Sequence, residues 1–128
     1  MNLGDRIFFQ GYATDPELSF LYKKSKALII PSFIEGFGLP ALEAMANKCL
    51  VLASDIPTLK EVCDGAALFF DPKNSGELLK KIIEISKNST QFESYIEKGF
   101  RRSNEFSWQK AAKETLKIYE SSAGLRQS

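Results

Sequence analysis

Short apolar runs alternate with stretches whose apolar positions recur every three or four residues, and this alternation sets the architecture. The runs at residues 7–9, 27–30, 50–53 and 67–70 are rich in aromatic and branched side chains, which predicts four strands. They read as continuous apolar rather than alternating, as expected when helices cover both faces of a parallel sheet. The predicted class is α/β, a Rossmann-like parallel sheet of about four strands with helices on both faces.

Helix signals fall between the runs. Thr14-Asp15-Pro16-Glu17 has capping-box spacing with proline in the first turn, followed by Leu18, Leu21 and Tyr22 on one face, so a first helix should end near Lys26. A second should begin at Pro40, and a short third should run from Pro57 through Leu59 and Val62 to a stop at Gly65. After Asp71-Pro72 the strand pattern ceases. Three helical segments follow, carrying Leu78/Leu79/Ile82/Ile83, Phe92/Tyr95/Ile96/Phe100 and Trp108/Ala112/Leu116/Tyr119, each preceded by Ser, Thr or Asn. They predict a helical C-terminal tail.

A chain of 128 residues with 44% hydrophobic positions fits one domain, residues 1–128, with a core of its own. Histidine is absent, which removes the usual zinc ligand, triad base and proton shuttle. The formal net charge of +1 offers no field for counterion release from nucleic acid, so no nucleic-acid partner is expected. Charge is nevertheless uneven. There are six basic and nine acidic residues through Asp71, then eleven basic and seven acidic beyond it. Solvated helix faces explain the basic half most simply; the weaker second reading is an acidic partner or a membrane surface, with peripheral contact at the inner face the most expected of the latter. Cys49 and Cys63 lack C-x-x-C spacing and have apolar neighbours, so both are expected to be reduced and buried, which suits a cytoplasmic protein. The longest apolar runs, such as residues 66–70, fall far short of the roughly 20 residues that cross a bilayer, and no signal-peptide pattern opens the sequence.

Candidate chemistry concentrates in Pro31-Ser32-Phe33-Ile34-Glu35-Gly36-Phe37-Gly38-Leu39-Pro40-Ala41-Leu42-Glu43, which leaves a strand, crosses a glycine-bearing loop and opens a helix. Ligands of open parallel sheets lie beyond the carboxyl ends of the strands, where a helix N-terminus offers free N–H groups and a partial positive charge. A phosphate suits that place. Gly36 and Gly38 let the backbone turn tightly and come close to a ligand, and Pro40 presets the first helical turn. Glu35 and Glu43 bracket the loop as acceptors for hydroxyls, a division of labour that fits a nucleotide sugar. Spacing alone leaves a plainer alternative open, in which Glu43 is a favourable acid near a helix start and the glycines only shape a loop. No G-x-G-x-x-G or G-K-[ST] loop occurs.

Glu35 and Glu43, seven residues apart, resemble the E-x7-E signature of the retaining GT-B glycosyltransferases of family 4, the glycosyl transferases group 1 domain. The flanks are similar in order: Arg6-Ile7-Phe8-Phe9-Gln10-Gly11-Tyr12, Leu21-Tyr22, Glu43-Ala44-Met45-Ala46, Ser54-Asp55-Ile56-Pro57, Glu61-Val62, Phe70-Asp71-Pro72 and Phe106-Ser107-Trp108. The resemblance implies a truncated GT-B C-terminal domain that transfers a hexose from a nucleoside diphosphate sugar to a hydroxyl with retention. By that resemblance Glu35 is the catalytic contact to the donor sugar and Glu43 binds the nucleotide ribose. The loop of Gly36, Phe37, Gly38 and Leu39 holds phosphate and sugar, Tyr12 lies near the base, and neither a metal ion nor a further cofactor is needed. The alternative is a non-catalytic interaction module, or one subunit of a split glycosyltransferase.

The family's usual glycine and proline are replaced here by Lys48 and Leu50, so Asn47 is expected to take the left-handed conformation that ends the second helix. The acceptor-binding Rossmann domain and the basic pair that neutralises the leaving diphosphate would precede Met1, so the chain by itself is expected to be inert. In the family's strand order, 3-2-1-4-5-6, residues 7–9 correspond to strand 3 and the two strands beside residues 27–30 are missing. Either residues 7–9 pair directly with residues 27–30, or the open edge recruits a second copy or a separate N-terminal-half chain. The family's closing helix crosses onto the other domain, whereas ordinary packing would bury the Trp108 and Tyr119 face locally.

Overall fold

A computed structural model describes residues 4–88 and 90–124. Three strands, β1 (Ala27–Ile30), β2 (Leu50–Ser54) and β3 (Leu68–Phe70), form one parallel sheet in that order. Ala27 sits opposite Leu50, and Leu52 opposite Leu68. The helices are α1 (Asp15–Lys24), α2 (Leu39–Ala46), α3 (Pro57–Cys63), α4 (Ser75–Lys87), α5 (Glu93–Ser103) and α6 (Trp108–Gly124).

Strand β2 is buried throughout, and its alternate side chains divide the core. Val51 and Ala53 join a cluster with Tyr22, Ala41, Met45, Leu59 and Cys63, on the face covered by α1, α2 and α3. Leu50 and Leu52 join Phe70, Ile85 and Phe92 on the opposite face, beneath α4 and the 3-10 turn Thr90–Phe92. Two-sided cover explains why the strands read as unbroken apolar runs. Helix α5 also packs on α2 so closely that a Cβ on Gly99 would lie 2.9 Å from Met45 Cγ.

Local chemistry places most of the helix ends. At α1 the Glu17 carboxylate accepts both the backbone N–H and the hydroxyl of Thr14 at 2.8 Å, and the backbone bond first, the hydroxyl second, hold its pKa below the usual carboxylate value. Asn74 caps α4 by accepting from Glu77 N at 3.0 Å, and Ser107 does the same for α6 from Lys110 N at 3.1 Å. Helix α5 departs from the expected polar cap. Its cap position holds Phe92, a buried ring that anchors the preceding 3-10 turn in the core.

Three expectations are corrected. Residues 7–10 form no strand and pair with no described residue, so the sheet has three strands rather than four and the outer edge of β1 stays open. An apolar run becomes a strand only where a ladder partner accepts it, and Gly11, at φ 67°, places a left-handed turn between this run and α1. The α2 exit uses Lys48 at φ 56°, while Asn47 stays at φ −93°. Asn47 keeps that conformation because Nδ2 donates to Glu43 O at 2.9 Å and Oδ1 accepts from Ser19 Oγ at 2.6 Å. Lys48 bears the left-handed strain with Nζ over the Phe100 ring at 4.8 Å and 3.4 Å from Glu97. Finally, α6 buries none of its residues, and Trp108 is 81% exposed, so local packing does not cover the Trp108 and Tyr119 face.

Candidate functional site

The loop between Ile30, at the end of β1, and Leu39, at the start of α2, sits where the strand ends are tied together. Ser54 Oγ, fully buried, donates to Ile30 O at 3.1 Å, and Asp55 N donates to Phe70 O at 2.8 Å. The rim that carries the loop is therefore braced across all three strands.

Gly38 makes the turn into the helix. It occupies the cap position of α2 with φ 91° and ψ 36°, a left-handed conformation open mainly to glycine, and a Cβ there would lie 2.9 Å from Leu59 Cδ2. Helix α2 starts at Leu39, so Pro40 stands second in the first turn rather than opening it, and Ala41 N donates to Gly38 O at 3.0 Å. Among the described residues the N–H groups of Gly36, Phe37, Gly38 and Leu39 have no acceptor, which leaves a cluster of donors at the positive end of the helix. The tight turn falls on Gly38 alone. Gly36 has no positive φ, and an added Cβ there would meet nothing within 4 Å, so its backbone does not need glycine's freedom.

The two glutamates are fixed by separate partners. Half-buried Glu35 accepts the Ser32 hydroxyl at 2.7 Å through Oε1, and its carbonyl accepts the Thr58 hydroxyl of α3 at 3.2 Å. Glu43 lies on an exposed position of α2, and its Oε2 accepts the Tyr22 hydroxyl at 3.2 Å. Tyr22 is only 8% exposed. Burial first, then the charge and hydrogen bond of Glu43, push its phenol up to about 12.

Beside Glu43 a groove of about 360 Å³ opens between α2 and the start of α6, with Leu39, Leu42 and Ala46 on one wall and Phe106 and Trp108 on the other. The Phe37 ring meets Phe106 edge-on, 5.9 Å between centroids. The Arg102 guanidinium lies over the Phe106 ring at 4.7 Å and donates to the carbonyls of Glu61 and Val62 at 2.9 Å. The loop is thereby tied to the chain's last two helices.

The structure brings Glu35, Gly36, Phe37, Gly38, Leu39 and Glu43 onto one loop and helix tip, and it does not bring Tyr12 to them. Tyr12 is 91% exposed ahead of α1, with no hydrogen bond or ring contact to the loop. Cys49 and Cys63 are free and buried, and burial pushes the Cys63 thiol up to about 11, a poor nucleophile at neutral pH. Among the described residues no group of three or more His, Cys, Asp or Glu could hold a metal ion. None of their helices is long and apolar enough to cross a membrane. Ser32, Thr58 and Tyr22 are partners of the glutamates that the loop motif itself does not announce. Ser32, three positions before Glu35, was the only one with a local signal; Tyr22 and Thr58 arrive through packing.

Comparison with known proteins fits this geometry. Residues 1–102 match the family described as Glycosyl transferases group 1. The chain belongs to that family. Among its relatives in the group 1 glycosyltransferases, O-antigen chain mannosyltransferase B of Escherichia coli is 33% identical over 113 residues, which cover 88% of this chain and 30% of the relative. O-antigen chain mannosyltransferase RfbU of Salmonella typhimurium is 36% identical over 99 residues, covering 75% of this chain and 28% of the relative. The sucrose-phosphate synthase of Thermosynechococcus elongatus superposes with a TM-score of 0.86 at 27% identity, over 96% of this chain and 32% of that one. The chain thus has the fold of a GT-B glycosyltransferase C-terminal domain and spans less than a third of the length of the two mannosyltransferases.

Proposed function

We propose that this group 1 chain is the donor-binding half of a retaining family 4 GT-B glycosyltransferase. The observation that carries the reading is the α2 tip: a left-handed Gly38 cap leaves four neighbouring N–H groups unaccepted, with hydrogen-bonded carboxylates on either side. In this reading the amides of Gly36, Phe37, Gly38 and Leu39 take the diphosphate, Glu43 takes ribose hydroxyls and Glu35 contacts the sugar. The names of the two O-antigen relatives make mannose the first hexose to test.

During transfer the bond from the anomeric carbon to the diphosphate oxygen breaks, an acceptor hydroxyl oxygen bonds to the same face, and the proton of that hydroxyl passes to the departing diphosphate. Charge accumulates on the departing diphosphate, where oriented amides and the helix terminus stabilise it without reorganising. As in the family it resembles, the scheme uses no metal ion. Completion requires a second domain to carry the acceptor, in the same polypeptide or another, and the chain alone binds donor without turning it over. The open edge of β1 and the bare face of α6 favour a second reading, a surface that binds protein, with a homodimer or a separate N-terminal-half chain as partner.

Calorimetry with nucleoside diphosphates and their sugars tests the donor site. Glu43→Ala should weaken binding about tenfold or more, the loss of a charge-assisted bond to ribose. Unchanged affinity contradicts the assignment.

A further inference from the structure

Two hydrogen bonds join α1 to α2 along one seam. Ser19 and Tyr22, three apart on α1, reach Asn47, which caps α2, and Glu43, four positions earlier on that helix, at 2.6 and 3.2 Å. Residues at such spacings share a helix face, so the seam fixes α1 against α2 as a unit. Its lower member ends on the carboxylate to which the donor reading gives the ribose. A carboxylate at an exposed helical position ordinarily samples several rotamers, and ordering it on binding opposes affinity. Here the other partner is a buried phenol on a rigid ring, which fixes Glu43 Oε2 and leaves Oε1 free to accept.

We propose that Tyr22 is a positioning residue that sets ribose recognition by holding the Glu43 carboxylate in its accepting orientation. This rests on the donor-site reading above. Tyr22 touches no substrate, and its effect passes through Glu43. A ligand lacking the ribose hydroxyl that Glu43 accepts should therefore be indifferent to Tyr22, whereas a purely structural tyrosine would affect every ligand alike.

The test measures affinity of the full chain for GDP, UDP and ADP, each against its 2′-deoxy and 3′-deoxy counterparts, in wild type, Tyr22→Phe, Glu43→Ala and the double variant. Tyr22→Phe keeps the ring and removes only the hydroxyl. Expected is a loss of about threefold to tenfold for the ribonucleotide, from untethering one carboxylate, with little change for the deoxy form that wild type already binds more weakly. The Tyr22→Phe effect should vanish in the Glu43→Ala background. Equal losses for ribo and deoxy ligands, or no loss, overturn the positioning role while a Glu43→Ala deficit leaves the donor site standing. If wild type binds none of these ribonucleotides, or Glu43→Ala binds them as well as wild type, both readings fall. A ligand-free check is ultraviolet titration of the buried phenol, which should ionise at lower pH in Glu43→Gln than in wild type, and equal values overturn the tether.

Discussion

Helix α2 and the segment at residues 7–9 have comparable apolar character in sequence and opposite fates in the fold. In α2, Ala41, Leu42, Ala44 and Met45 are buried against α1, β1, β2, α3 and α5, and the helix tip is braced from both sides. Phe8 and Phe9 are 85% and 96% exposed and pair with no strand of the sheet. Helix α6 repeats the second case with Trp108, Leu116 and Tyr119. Apolar character is thus a demand for a partner. The chain meets that demand along the inner face of α2 and leaves it unmet at residues 7–9, along the α6 face and in the site loop, where Ile34 is 88% exposed; exposed apolar surface of this kind suits association or a ligand.

The contrast is broken most severely at Gly38. Gly38→Ala forces a Cβ into a left-handed cap and against Leu59, and should cost about 2–4 kcal/mol of stability together with most donor binding. Chemical denaturation would show it, and a shift below about 0.5 kcal/mol would mean that the left-handed cap does not constrain this position.

Alkaline pH should act next, through groups buried on the same side of the sheet. The Tyr22 phenol is raised to about 12 and the Cys63 thiol to about 11, in each case first by burial. The native state therefore keeps protons that the unfolded chain releases near the ordinary values of about 10 and about 8.5. Their stabilisation is whole below the unfolded values and is lost as pH rises through the folded ones, so midpoints should fall between about pH 9 and 12. Tyr22→Phe should flatten the upper part of that fall, and an identical profile in the variant would remove Tyr22 from the account.

The smallest effects belong to the uncovered regions. Phe9→Ser and Trp108→Gln should each change stability by no more than about 0.5 kcal/mol in the isolated chain, since neither side chain is buried. Both should weaken self-association if the exposed apolar surface is an interface, which sedimentation at rising concentration would report. A large loss of stability in either variant would show that these regions pack more tightly than described.

What the sequence made legible follows the same division. Helices α1, α3 and α4 are readable because a capping box, a first-turn proline with a left-handed stop, and a capping asparagine, respectively, are local signals. The E-x7-E pair and Gly38 were readable because the loop and helix tip are contiguous in sequence. Residues 7–9 misled because strand propensity carries no information about whether a ladder partner exists. The left-handed position after α2 is not legible locally because Asn47 is committed to Ser19, 28 positions away, and the bond from Tyr22 to Glu43 is not legible because only packing of α1 on α2 makes it.

A crystal structure of the chain with a nucleoside diphosphate sugar tests the central claim most directly. The diphosphate is expected on the amides of Gly36, Phe37, Gly38 and Leu39 and the ribose hydroxyls on Glu43. Clear density for the nucleotide sugar elsewhere on the chain, with the α2 tip unengaged, would contradict it.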